Sequence, residues 1–125
     1  MATIQPADLP IKVKTVLIYR GDTRPLKTFR FSNVNPDGSV GSPKDVSDII
    51  WTSQWRLDPD AVEFLQLDVD ISQANVGIIQ ISVPANISAQ MNDDGYWDLQ
   101  ARYPNGDIIT KARGGTRLQP DVTRP

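Results

Sequence analysis

Residues 94–107 read as a single β-strand with both ends marked, and no other stretch constrains the fold as much. Gly95 follows an acidic turn, Asn92-Asp93-Asp94, and tolerates the positive φ that a sharp turn into a strand needs. From there Trp97, Leu99, Ala101 and Tyr103 alternate with Tyr96, Asp98, Gln100 and Arg102. A period of two puts large apolar groups on one face and polar groups on the other, the pattern of a strand with one buried side. Asn105-Gly106 then predicts a type I′ hairpin turn. Residues 108–113 are its partner strand.

The same alternation recurs along the chain. Residues 11–20 carry Val13, Leu17 and Tyr19 on one face and Val16 and Ile18 on the other. Residues 26–31 hold Phe29 and Phe31 on one face, and residues 47–57 hold Trp51, Ser53 and Trp55. Residues 62–70 predict one strand with Leu65, Leu67 and Val69 inward, and residues 76–83 another with Ile79, Ile81 and Val83 inward. Residues 33–44, rich in Gly, Pro, Asn and Ser, predict a loop with a tight turn at Asn35-Pro36-Asp37-Gly38. Asn86 predicts the cap of a short helical turn over 87–91. Residues 116–118 predict a last short strand. About seven or eight short strands between tight turns, with no long helix, point to one antiparallel β-sandwich or barrel. Its expected core is Phe29, Phe31, Trp51, Trp55, Leu65, Leu67, Ile79, Ile81, Trp97 and Leu99.

At 125 residues the chain is expected to be one domain, 11–118, between two arms, 1–10 and 119–125. The arms lack alternation and carry Pro6, Pro10, Pro120 and Pro125, which favour extended, stiffened backbone. The N-terminus has neither the basic start nor the apolar centre of a signal peptide, and no apolar run approaches membrane-spanning length. The absence of His and Cys removes Ser-His and Cys-His nucleophile pairs and zinc sites built on those residues. A net charge of -2 argues against direct nucleic-acid binding. The paired aspartates Asp58/Asp60, Asp68/Asp70 and Asp93/Asp94 fit turn chemistry or a solvated face better than a catalytic pair, since nothing in the sequence buries one of them. No catalytic, cofactor-binding or metal-ligating residue is assigned. Trp51, Trp55 and Trp97 fit a core better than a sugar-stacking face.

Asp93-Asp94-Gly95-Tyr96-Trp97-Asp98-Leu99 resembles the D-x-G-x-Y-x-C corner of immunoglobulin-like sandwiches. Trp97 stands where that family has its tyrosine, and Leu99 where it has its cysteine. Trp55 takes the place of the buried tryptophan that would pack on Leu99. Across nearly the whole chain, the order Arg20-Gly21-Asp22-Thr23, Trp51-Thr52-Ser53-Gln54-Trp55-Arg56, Gly95-Tyr96-Trp97-Asp98-Leu99-Gln100 and Asp121-Val122-Thr123-Arg124 is similar to the small β-sandwich virion proteins of tailed bacteriophages. These include tail-collar and tail-fibre-attachment proteins. The resemblance implies a non-enzymatic, homo-oligomeric structural protein of the virion, assembled in the host bacterial cytoplasm against other tail or capsid subunits. It implies no cofactor.

Two further readings stand beside a tail protein: a capsid decoration protein, and a carbohydrate- or host-surface-binding module. The arms are expected to make the contacts, through the apolar anchors Ile4, Leu9 and Val122. Arg117 and Arg124, with Lys111 and Arg113, form a basic C-terminal end suited to an acidic neighbour.

Overall fold

A computed structural model describes residues 10–119. They form β1 (Ile11–Tyr19), β2 (Arg24–Arg30), β3 (Ser32–Val34), β4 (Val40–Pro43), β5 (Ile50–Arg56), β6 (Leu65–Gln66), β7 (Asp68–Gln73), β8 (Ile78–Val83), a single helical turn α1 (Ala85–Ser88), β9 (Gly95–Arg102) and β10 (Ile108–Gln119). The chain is all-β. A larger sheet runs β1-β10-β9-β5-β6 and a smaller one β2-β8-β7, while β3 and β4 pair only with each other.

Both sheets bury their apolar faces in one cluster. β9 lies between β10 and β5 and contributes Trp97, Leu99 and Ala101; β5 adds Trp51 and Trp55, and β8 faces them with Ile79, Ile81 and Val83. The period-two reading of these three strands is correct. Phe31 and Leu65, expected in the core, are only partly buried, whereas Ile18, Leu26, Val46 and Met91 are buried and were not expected. Phe31 instead lies at the core margin, its ring tilted against Trp51 with centroids 5.2 Å apart.

The expectation of a wholly antiparallel fold needs correction. β1 pairs with β10 in parallel, Ile11 opposite Ala112 and Tyr19 opposite Gln119. A tight hairpin forces antiparallel neighbours, but these strands lie at opposite ends of the chain, so no turn sets their relative direction. A register shift between Val13 and Val16 explains why β1 showed apolar groups on both faces. The irregularity lets Val13, Val16 and Ile18 all pack against the core.

Four local readings also change. Residues 33–44 are not a plain loop: β3 and β4 form a hairpin whose turn is closed by Gly38 N–H donating to Asn35 O at 2.8 Å. Residues 62–70 are not one strand. Leu65–Gln66 pairs with β5, and Asp68–Gln73 pairs with β8 in the other sheet. Leu67 is the crossing point, buried, its N–H donating to Ser53 O at 2.9 Å. Residues 116–118 are the continuation of β10, which runs through Gln119. Gln119, expected in the second arm, belongs to β10, and its carbonyl accepts the Arg20 N–H at 2.9 Å. Finally, Pro84 and not Asn86 caps α1.

The β9–β10 turn is not type I′. That turn needs positive φ at both central residues, and only Gly106 has it, at 94°. Pro104 suits the first central position of an ordinary type I turn, Tyr103 to Gly106, closed by Gly106 N–H to Tyr103 O at 2.9 Å. Gly106 then takes the left-handed position, and Tyr103 N–H donates to Asp107 O.

Ser88 is buried, and its hydroxyl joins distant segments. It accepts the Gly21 N–H at 3.0 Å and donates to Asp22 O at 2.7 Å, fixing the β1–β2 turn against α1.

Candidate functional site: the outward face of the larger sheet

Alternation that buries one side of β9 and β10 presents the other to solvent. The five strands of the larger sheet carry Lys12, Lys14, Arg56, Arg102, Lys111, Arg113 and Arg117, but Asp98 is their only acid. Register places Lys12, Arg56, Arg102, Arg113 and Arg117 on the outward face with it. The chain as a whole has net charge -2, so this is a marked segregation of charge. Its origin is local. Asp37, Asp45, Asp58 and Asp93 sit between strands, where each carboxylate accepts a nearby backbone N–H. Turn chemistry draws the acids to the ends of the strands and leaves the cations on the sheet.

A hollow of about 520 Å³ opens on this face. Its lining includes Lys12 from β1, Gln54 and Arg56 from β5, Tyr96 and Asp98 from β9, and Arg113 from β10. Asp98 lies opposite Gln54 on one side and Arg113 on the other, and Lys12 lies opposite Arg113. Asp98 is half-buried, and that burial pushes its carboxyl above the ordinary range; the charge of Arg56 and the backbone amide of Gln54 pull it partly back. A carboxyl perturbed by burial in a concave site marks a candidate functional position.

Arg56 is the fixed point of the rim. Its Nη2 donates to Gln54 Oε1 at 2.8 Å, and its Nε donates to Ala61 O at 3.0 Å. The guanidinium also lies 5.1 Å from the Phe64 ring centroid, a cation–π contact. These contacts hold the β5–β6 connection beside the hollow, whose lining Pro59 completes at that end.

Of the residues expected to make contacts, Arg117 is exposed on this same face, opposite Leu17 of β1. Ile4, Leu9, Val122 and Arg124 lie outside the described residues. Arg113 lines the hollow, but Lys111 lies at a register shift in β10 with its Nζ 5.5 Å from the Tyr103 ring centroid.

Asp58, Asp70 and Asp94, from the three aspartate pairs, each accept a backbone N–H. Asp58 accepts the Asp60 N–H at 3.0 Å, and Asp70 the Ser72 N–H at 2.8 Å. Asp94 accepts the Leu118 N–H at 2.7 Å, tying the corner before β9 to the end of β10. All three tryptophans are buried, so they present no open stacking face. Trp97 has an indole N–H buried without a partner, close against Gly114.

Sequence reading missed Lys12, Gln54, Arg56 and Asp98 as site residues. The usable signal was the run of cations at outward strand positions while acids collected in turns. Among the described residues no three acids come together to hold a metal ion, and no helix is long and apolar enough to cross a membrane.

The chain matches no protein-family model, and no curated protein matches it significantly.

Proposed function

We propose that this chain is an immunoglobulin-like sandwich acting as a non-enzymatic structural protein of a tailed-bacteriophage virion, seated on an acidic neighbouring subunit through the outward face of its larger sheet. The strand order supports the fold reading. Immunoglobulin-like domains set strands G, F, C and C′ in one sheet and B, E and D in the other; here β10-β9-β5-β6 faces β2-β8-β7. β1 extends the larger sheet along β10. The assignment to a tail, as a collar or fibre-attachment protein, follows the sequence resemblance, with capsid decoration as the alternative site of assembly.

The observation that carries docking is the cation-rich face on an acidic chain. Lys12, Arg56, Arg102, Arg113 and Arg117 oppose one half-buried carboxylate there. Such a face steers an acidic partner to it and sets its orientation. Individual exposed pairs contribute only about 0–1 kcal/mol, so specificity comes from the array.

Arg113→Glu with Arg117→Glu tests this directly. Both side chains are exposed, so the fold should survive, as judged by circular dichroism. The variant should fail to enter particles assembled in its presence. Normal occupancy would remove the sheet face from the assembly contacts. Density for the chain in an intact particle would separate tail from capsid.

A further inference from the structure

We propose that the acidic neighbour is a second copy of this chain, which presents its β5–β6 connection, residues 57–64, to the hollow in a two-fold arrangement. This rests on the docking reading above and names the partner.

The connection has the complementary chemistry. It carries Asp58, Asp60 and Glu63, all exposed, against Lys12, Arg56 and Arg113 of the hollow. It also carries apolar groups that its own domain leaves in solvent: Val62 is 91% exposed and Phe64 46%, and Tyr96, opposite Arg56 on β9, is 50% exposed. Binding between proteins usually rests on a few buried apolar or aromatic anchors, with charges at the rim. Val62 is the most exposed of these anchors.

The placement of the two halves sets the symmetry. Pro59 belongs to the connection and lines the hollow, and Arg56 reaches from the hollow to Ala61 and Phe64. Acidic and basic halves therefore adjoin on one surface. Rotating a second copy by half a turn lays each acidic half on the other's basic half. That self-complementarity is what a two-fold interface requires. A partner of unrelated sequence would need only the basic half and would leave Val62 unexplained.

The connection is also held in shape before any partner arrives. Asp60 N–H donates to Asp58 Oδ1 at 3.0 Å, Ala61 N–H donates to Asp58 O at 2.9 Å, and Arg56 holds Ala61 O at 3.0 Å. A segment already ordered loses little entropy on docking.

The test is the mass of the full chain in solution by sedimentation equilibrium over a concentration series. The wild type should approach the mass of two chains. Lys12→Glu with Arg113→Glu should stay at one chain, and so should Asp60→Lys with Glu63→Lys, while both keep the wild-type circular dichroism. An equimolar mixture of these two variants should return to two chains, because each reversed half then meets its complement. Val62→Ser, which keeps every charge, should raise the dimer Kd roughly tenfold through loss of an apolar anchor.

A wild type that remains one chain overturns the inference, as does a mass that climbs past two. Failure of the mixture to reassociate overturns the pairing of hollow with connection. A monomeric wild type whose face variants still fail to enter particles would overturn this inference alone and leave the docking reading standing.

Discussion

Thr116→Val isolates one buried polar contact that joins two strands far apart in sequence. The Trp55 indole N–H donates to Thr116 Oγ1 at 2.8 Å, across a separation of 61 residues, and both side chains are buried. Valine keeps the shape of threonine and removes the acceptor. A buried donor left without a partner costs about 1–3 kcal/mol. The methyl that replaces the hydroxyl returns up to about 0.8 kcal/mol of apolar burial. The net destabilisation should be roughly 1–2 kcal/mol, a fall in Tm of about 3–10 °C for a domain of this size. Urea and thermal unfolding of the wild type, Thr116→Val, Trp55→Phe and the double variant complete a cycle. With the indole N–H gone, Thr116→Val should cost almost nothing, since removing both partners leaves no orphan. If Thr116→Val costs the same in the Trp55→Phe background as in the wild type, the hydrogen bond contributes nothing and the reasoning fails.

Two more predictions follow from the core and from the hollow. Trp97→Ala removes the largest fully buried side chain from the centre of β9 and should cost about 3–5 kcal/mol as a large-to-small core change; an unchanged Tm would mean that the indole is not packed. Asp98→Asn should stabilise the protein at neutral pH, because burial raises the folded carboxyl above its unfolded value of about 3.9. The folded state then holds the extra proton between those two values, so wild-type stability falls as pH rises through that window. The Tm advantage of Asp98→Asn should be full at pH 7, shrink as pH falls through that window towards about 3.9, and be smallest below it; an advantage independent of pH would place its cause elsewhere.

Several parts of this fold could be read in the chain before any coordinates, and the reason is local. Trp97, Leu99 and Ala101, Trp51, Ser53 and Trp55, and Ile79, Ile81 and Val83 all declare their faces by alternation within one strand. A strand's inward side depends on its neighbours only through burial, so period two suffices. Arg117, read as a cation of a basic C-terminal end, is exposed on β10. What alternation cannot specify is which strand pairs with which. Leu65, Leu67 and Val69 alternate without a break, yet hydrogen bonding divides them between two sheets at Leu67. The parallel seat of β1 on β10, and the irregularity that turns Val13 and Val16 to the same side, depend on the edge that β10 offers from the other end of the chain.

The hollow is a property of that assembly. Lys12, Gln54, Arg56, Asp98 and Arg113 come from four strands, and only register brings them to one place. Their types were set by the sequence: acids fell into turns because aspartate closes turns with its own carboxylate, and cations remained on the outward strand positions. Their convergence was decided by tertiary structure alone, because a backbone ladder aligns residues by hydrogen-bond position and is indifferent to the side chains it sets side by side.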